Sequence, residues 1–226
     1  MNIWKTRILI ATLITLFVTE LSLATTMAQN GQQQTWNFRV MLDDQPIGSH
    51  KVRVDSSDGN IAVHTIANFD VRILFIPVYS YEHEAKENWN DGCIVAINTT
   101  TDDNGEKYYI SSKKDTQSLS LNTHDGKSNL DGCVRTFAYW DVNLLKSDRL
   151  LNTQTGEYLP VSITDMGFRN LDIYGKEVLA RIFRLVSEEM TIDLWNTKDI
   201  LLLSIDSITD TVSDLRYIHE KTAYFK

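Results

Sequence analysis

A regular alternation of apolar and polar side chains runs through most of this chain and limits its fold more than any other feature. From residue 61 to residue 73 every second side chain is apolar or small, and Tyr79, Tyr81 and Trp89 belong to a second alternating run. A period of two residues is typical of a β-strand with one buried and one solvated face. The pattern therefore predicts two long strands joined by the apolar connection Leu74–Val78.

Short polar turns separate this hairpin from further alternating segments on both sides. Asp43–Pro46, Ser56–Gly59, Asn90–Gly92 and Asp102–Gly105 carry the Asp, Asn, Gly or Pro residues that tight turns require. Turns of this length cannot make the long crossovers that parallel strands need. The sequence therefore predicts a mainly β fold, with one antiparallel sheet of about a dozen strands.

The alternation fails in one part of the chain. Between Cys133 and Lys146 the apolar residues follow no period of two, and part of the segment fits helical spacing. We interpret it as a helix or a compact loop, and we expect one or two short helices in the whole protein.

The first 28 residues are typical of a secretory signal peptide. Lys5 and Arg7 precede an apolar run, Ile8–Val18, and small residues follow that run. The run is too short to span a bilayer. We expect cleavage after Ala28, with Ala24 as the second candidate, and an uncleaved signal anchor is the alternative.

Export and charge limit the partners of the mature protein. Cleavage after Ala28 leaves 198 residues with a net charge of −9, enough chain for one core. We therefore expect residues 29–226 to form a single β-rich domain in the periplasm or outside the cell. An acidic protein is repelled by nucleic acid and by anionic lipid surfaces. Because no second long apolar run follows, no membrane span is expected after cleavage.

The two cysteines, Cys93 and Cys133, each follow an Asp-Gly pair. In an oxidising compartment an even number of cysteines is more often bridged than free. We therefore expect a disulfide, and two buried thiols that never meet are the alternative. Neither cysteine is surrounded by the motif of a catalytic thiol.

The titratable residues match no recognised catalytic or metal-binding motif. His64 and His83 lie on the two arms of the central hairpin, where a cross-strand pair is an open interpretation. The acidic residues beside His83, which are Glu82, Glu84 and Glu87, are typical of a solvated strand face. Asp102–Gly105 is explained better by a hairpin turn than by a calcium loop. No catalytic residue, metal site or cofactor is predicted.

Seven runs of the mature chain resemble a family of exported bacterial proteins of unknown function. These runs are Phe69–Val71, Leu74–Tyr79, Trp89–Cys93, Thr101–Gly105, Phe137–Trp140, Leu150–Tyr158 and Ile192–Trp195. The strand pattern is also similar to that of periplasmic curved-sheet proteins, which include lipoprotein carriers and related half-barrels. This second resemblance implies a strongly curved sheet, a half-barrel or open barrel, with a concave face that can hold an acyl chain. It assigns no activity.

The leading hypothesis is a non-enzymatic protein that binds a lipid or another apolar small molecule in its curved sheet. The residues expected to contact the ligand belong to the central hairpin and are Phe69, Leu74, Phe75, Ile76, Val78, Tyr79, Tyr81 and Trp89. Further aromatic side chains are available for the lining, namely Trp36, Phe38, Phe137, Tyr139 and Trp140. An ordinary hydrophobic core would use the same residues.

Two alternatives remain open at this point. The first is an envelope assembly protein that holds a partner protein with a sheet edge or with the connection Leu74–Val78. The second is a hydrolase or isomerase with a site that includes His64, His83 or Asp70, which is the minority interpretation because no motif supports it.

Overall fold

A computed structural model describes residues 31–188, 190–197, 202–208 and 215–220, so the expected signal peptide at residues 1–28 lies outside the described residues. The described chain contains fifteen strands and one 3₁₀ helix (Val142–Lys146). The strands are β1 (Gln32–Leu42), β2 (Gln45–Ser57), β3 (Asn60–Ile73), β4 (Ile76–Asn90), β5 (Cys93–Asp103), β6 (Glu106–Lys114), β7 (Ser118–Thr123), β8 (Gly126–Asp131), β9 (Arg149–Leu151), β10 (Tyr158–Pro160), β11 (Ser162–Ile173), β12 (Lys176–Val186), β13 (Thr191–Asn196), β14 (Ser204–Ile208) and β15 (Leu215–His219).

Thirteen of the strands form one antiparallel sheet, in the order β11-β12-β13-β14-β15-β1-β2-β3-β4-β5-β6-β7-β8. Strands β9 and β10 form a separate antiparallel pair. The long sheet is not closed, because β11 and β8 are its two edges. The predicted mainly β, antiparallel fold is confirmed. The pairing of β1 with β15 joins an N-terminal meander to a C-terminal one.

The polar turns predicted from the sequence connect neighbouring strands. Asp58 and Gly59 have φ values of 50° and 78°, and Asn104 and Gly105 have values of 52° and 97°. Asn, Asp and Gly tolerate this left-handed region better than other residues do. Asp102 also accepts a hydrogen bond from the backbone N–H of Gly105 at 2.8 Å, so the Asp102–Gly105 segment is a hairpin turn.

The core lies on the inner face of the long sheet and is completed by the chain between β8 and β11. We call that chain, residues 132–161, the interior segment. Its buried side chains, among them Leu144 and Leu150, belong to one cluster with Phe38 of β1, Leu121 of β7 and Leu194 of β13. Because strands from both halves of the sheet reach the same cluster, the sheet curves around the interior segment.

The segment Cys133–Lys146 is a compact loop that ends in the 3₁₀ helix, which is the single helical element among the described residues. Asp141 caps this helix, because its Oδ1 accepts a hydrogen bond from the backbone N–H of Asn143 at 3.0 Å. The apolar residues of the segment pack into the curved sheet without a regular period, with Val134, Ala138 and Leu144 buried and Val142 exposed.

The predicted disulfide between Cys93 and Cys133 is present, with the two Cα atoms 5.1 Å apart. It joins the first residue of β5 to the start of the interior segment. Two hydrogen bonds lie beside it: Ile94 N–H donates to the carbonyl of Val134, and Arg135 Nε donates to the carbonyl of Gly92, both at 2.9 Å. The bridge therefore fixes the interior segment to the β4–β5 turn.

We expect replacement of both cysteines by serine to lower the free energy of unfolding by about 4 kcal/mol, because the bridge closes a loop with a sequence separation of 40 residues. Urea denaturation followed by tryptophan fluorescence measures this change. The wild-type protein with its bridge reduced is the matched control and should unfold at the midpoint of the variant. An unchanged midpoint in both would contradict a stabilising role of the bridge.

Candidate functional site

A cavity of about 540 Å³ lies between the inner face of the sheet and the interior segment. Its walls come from strands β1–β5 and β13–β15, together with residues 136–140 and 152–154 of the interior segment. This volume is within the range of cavities that bind small molecules. The interior segment fills only part of the space that the curved sheet encloses, and the cavity is the part that remains empty.

The strand register places the cavity toward one end of the sheet. Leu42, Ile47, Val71 and Tyr79 line it close to the β1–β2 and β3–β4 turns, and these side chains are half-buried. Deeper wall residues such as Ala85 are buried. The cavity is therefore accessible to solvent at the end that carries these turns, which we call the mouth.

Six rings in contact form a belt around the cavity. In order of contact they are Phe38, His50, Tyr217, Phe69, Tyr81 and His83, with ring centroids 6.1, 5.6, 6.0, 5.1 and 6.2 Å apart. Phe69 and Tyr81 are stacked across the central hairpin, whereas Tyr217 meets its two neighbours edge to face. Such contacts hold the rings in fixed positions.

A hydrogen-bonded group closes one side of the mouth. Tyr79 donates its hydroxyl to Asp103 at 2.8 Å, and Gln154 Nε2 donates to the other Asp103 oxygen at 3.0 Å. The Tyr81 hydroxyl donates to Gln154 Oε1 at 3.1 Å. These bonds connect the interior segment to β4 and β5. Burial raises the pKa of Tyr79 and of Tyr81 well above the usual range, so both remain phenols.

Two histidines of the belt are uncharged at neutral pH. Burial lowers the pKa of His50 to about 4, helped by the nearby His83, and burial alone lowers the pKa of His83 to about 4. His83 Nδ1 lies 2.8 Å from the Thr101 hydroxyl. Both ring nitrogens of His50 are buried, and neither has a hydrogen-bond partner among the described residues.

Glu87 lies in the cavity wall, and its assignment to a solvated strand face is wrong. Like His83, it occupies an alternate position of β4 whose side chain points inward, whereas Glu82 and Glu84 lie on the outer face, exposed and half-buried respectively. Its Oε2 accepts hydrogen bonds from Trp89 Nε1 at 2.8 Å and from the Thr136 hydroxyl at 3.4 Å. Burial nevertheless raises the pKa of Glu87 to about 7.

The walls contain no cationic side chain among the described lining residues. Their ionisable groups are two carboxyl groups, Glu87 and Asp103, in addition to uncharged histidines and tyrosines. Neither Lys nor Arg is part of the lining. The cavity is therefore apolar with a negative electrostatic bias.

The connection Leu74–Val78, which we call the apolar tip, stands at the mouth and is exposed. The exposed fractions of Leu74, Phe75, Ile76 and Val78 are 86%, 93%, 65% and 45%. Leu74 and Phe75 form the turn with φ values of 48° and 72°. This turn geometry favours Asn and Gly, and a bulky side chain in it costs roughly 1–2 kcal/mol per residue.

The apolar tip also projects beyond the neighbouring turns. Val40, Gly48 and Phe69 are aligned across β1, β2 and β3. Leu74 comes five residues after Phe69, whereas the β1–β2 turn begins at Asp43, three residues after Val40. At about 3.3 Å per residue, the difference is roughly two residues or 7 Å.

Comparison with known proteins gives a family and a fold. A family model described as Domain of unknown function (DUF6134) matches residues 38–220. The chain belongs to this family. It is also similar to a crystal structure of a β-barrel-like protein of domain of unknown function DUF1849 from Brucella abortus, with a TM-score of 0.58 and 8% identity over 84% of this chain and 95% of that chain. No curated protein matches the chain.

These findings confirm the resemblance to an uncharacterised family and the barrel-like fold. At 8% identity the likeness to the DUF1849 protein shows the fold alone. Within the described residues, no group of three or more His, Cys, Asp or Glu side chains could hold a metal ion. In that same part of the chain, no helix is long and apolar enough to cross a membrane.

The structure separates the eight residues that the sequence suggested for ligand contact. Phe69, Tyr79 and Tyr81 line the cavity. Four others form the exposed apolar tip, and Trp89 is buried in the core, where its indole N–H holds Glu87. Ligand contact by these residues stays a prediction.

The residues suggested for an enzyme site do not come together. His64 is paired with Lys86 and not with His83, and it points to the outer face, where its Nε2 lies 2.8 Å from Glu84 Oε1. Asp70 is also on the outer face, bound to Arg72. The cross-strand pair of His64 and His83 is wrong because residues of opposite parity point to opposite faces.

Several cavity residues were not found from the sequence. His50 shares the alternate positions of β2 with Val52 and Val54, so the alternation could have predicted that its side chain points inward. The arrangement of Tyr217 beside His50 had none, because it depends on the pairing of β1 with β15, which are distant in sequence.

We expect Glu87→Gln to stabilise the protein at pH 8 by about 3 kcal/mol and to leave the stability at pH 4 unchanged. The folded-state pKa of Glu87, about 7, lies above the usual 4.5, so the contribution of this carboxyl to stability is greatest below pH 4.5 and is lost as the pH rises through 7. Urea denaturation of both proteins across this range measures the difference.

The difference between the two proteins isolates Glu87, because His50 and His83 also affect the wild-type curve. Their lowered pKa values mean that stability falls as the pH drops from 6.5 toward 4, in both proteins alike. A constant difference at all pH values would show that the Glu87 carboxyl titrates normally.

Proposed function

We propose that this protein is exported and binds an apolar small molecule, such as a lipid or an acyl chain, in the cavity of its curved sheet. The observation that carries the proposal is the accessible cavity of about 540 Å³ with apolar and aromatic walls. Each methylene group of a ligand that leaves water for such walls contributes about 0.8 kcal/mol. The ring contacts support a site that exists before the ligand binds, which reduces the entropy cost of binding.

The position of the apolar tip supports the same function. It presents exposed apolar side chains directly at the mouth, where an apolar ligand has to leave water or a carrier before it reaches the cavity. The turn conformation of Leu74 and Phe75 is unfavourable for these residues, and backbone strain of this kind is concentrated at functional sites. We therefore assign ligand transfer to the apolar tip and ligand storage to the cavity.

The first experiment is native mass spectrometry of the protein purified from its own cell envelope, followed by solvent extraction. We expect a bound mass that extracts as a lipid. A protein that is repeatedly isolated without a bound mass, and that fails to bind the neutral apolar dye Nile red, would contradict the proposal.

A cavity-filling variant tests the location of the site. Ala67 is a buried wall residue of β3, and Ala62 is exposed on the outer face of the same strand. We expect Ala67→Leu to weaken Nile red binding at least tenfold, because the added atoms occupy the cavity. The matched control Ala62→Leu should bind the dye like the wild-type protein, and an equal loss in both variants would contradict a site in the cavity.

A second candidate function is an envelope assembly protein that holds a protein partner with the apolar tip. The observation that favours it is the exposure of Phe75 at 93% and of Leu74 at 86%, since exposed apolar clusters mark interaction sites. In this case the cavity would contribute only indirectly.

Replacement of Leu74-Phe75 by Asn-Gly separates stability from function at the apolar tip. We expect the free energy of unfolding to rise by about 1–2 kcal/mol, because Asn and Gly suit the positive φ values. Ligand uptake from vesicles, or crosslinking to an envelope protein under the second candidate, should fall in the same variant. A variant that is more stable and equally active would contradict a functional role of the tip.

A further inference from the structure

Three polar side chains with hydrogen-bonding groups, His50, Tyr139 and Tyr217, line the same cavity. Both ring nitrogens of His50 are buried without a partner. The phenol groups of Tyr139 and Tyr217 also line the cavity. A buried polar group without a partner destabilises the fold, so a ligand that supplies the missing hydrogen bond is favoured.

These three side chains are neighbours. The rings of His50 and Tyr217 are 5.6 Å apart in an edge-to-face contact. Tyr217 is also close enough to Tyr139 to contribute to the raised pKa of that phenol, although burial is the larger cause. They come from β2, β15 and the interior segment, so the curved fold gathers two phenol groups beside the unpaired imidazole of His50 in an apolar cavity.

The charges of these groups and their surroundings define what they can bind. Burial raises the pKa of Tyr217 to about 12 and lowers that of His50 to about 4. At neutral pH the phenol therefore keeps its proton and the imidazole is uncharged. A neutral imidazole has one N–H donor and one acceptor nitrogen, and a phenol can donate or accept. Glu87 and Asp103 are the carboxyl groups of the walls, and no Lys or Arg is part of the described lining.

An anionic head group is therefore disfavoured in this cavity. A carboxylate or phosphate would leave water without meeting a cation, and the desolvation of an unpaired charge is expensive. The carboxylate of Asp103 at the mouth would add repulsion. A hydroxyl, ester or amide group loses far less on leaving water and can use the donors and the acceptor that the three side chains offer.

We propose that the ligand has an apolar body and an uncharged oxygen-containing head group, an alcohol, ester or amide, which is held by His50, Tyr139 and Tyr217. This proposal rests on the proposed binding function and narrows its ligand class. Free fatty acids and phosphate-bearing lipids are excluded as preferred ligands, whereas long-chain alcohols, acylglycerols and the ester- or amide-linked part of an acylated molecule fit.

A matched ligand series tests the head group. Displacement of Nile red from the purified, delipidated protein at pH 8 is measured with octanol, methyl octanoate, octanoate, octyl phosphate and octane. We expect octanol and methyl octanoate to displace the dye at concentrations at least tenfold lower than octanoate and octyl phosphate. We also expect them to act at lower concentrations than octane, which has the same body without a head.

Two conservative variants test the protein side. Tyr217→Phe removes only the hydroxyl, and His50→Phe replaces the imidazole by a ring without nitrogen. We expect each to weaken octanol binding about fivefold to tenfold and to leave octane binding unchanged. Tyr109→Phe on the exposed surface is the matched control and should change neither. Thermal unfolding of each variant verifies that the fold is retained.

The outcomes separate the proposed binding function from the proposed head group of the ligand. Octanoate or octyl phosphate that binds as tightly as octanol overturns the uncharged head group but leaves a lipid-binding function. Equal binding of octane and octanol, unaffected by Tyr217→Phe and His50→Phe, overturns head-group recognition. A protein that binds neither Nile red nor any member of the series overturns the proposed function, and the proposal on its ligand with it.

Discussion

The structure depends on the filling of a wide curved sheet. Thirteen strands curve around a space that their own inward side chains do not fill, and the sheet is not closed at its edges β8 and β11. The interior segment supplies the missing apolar volume with residues such as Leu144, Leu150 and Leu151. A stable protein interior is packed nearly as densely as a crystal of small molecules. The placement of this one segment therefore decides which part of the interior is a close-packed core and which part is a cavity.

The disulfide and the hydrogen bonds at the mouth hold the interior segment at two places. At one end Cys133 is bonded to Cys93, and toward the mouth Gln154 is bonded to Tyr81 and Asp103. The cavity lies where the segment leaves space against the inner faces of β1–β5 and β13–β15. The same burial that forms the cavity keeps its histidines and tyrosines uncharged, so the packing of the fold and the chemistry of the site have one cause.

At the apolar tip, the backbone conformation disagrees with the conformational preferences of the residues that adopt it. Asp, Asn and Gly occupy most of the positive-φ positions of the other described turns, with Tyr174 beside Gly175 as an exception. Leu74 and Phe75 adopt the same geometry at two successive positions, with large apolar side chains in solvent. Neither stability nor solubility gains from this choice. Under the proposed function, the position of the tip above the mouth gives the arrangement a use in ligand transfer.

The sequence by itself determined the local structure. Alternation predicted the long strands, and Asp-Gly and Asn-Gly pairs predicted turns. Two cysteines in a chain that is expected to be exported predicted the disulfide. Each of these signals is short-range or limited by composition. Tertiary structure decided the rest. Whether Glu87 faces water or the cavity, and whether His50 meets Tyr217, depends on which strands become neighbours and on what the interior segment covers. These contacts join residues that are distant in sequence. The alternation predicts on which face of its strand a side chain lies, but it does not predict what packs against that face.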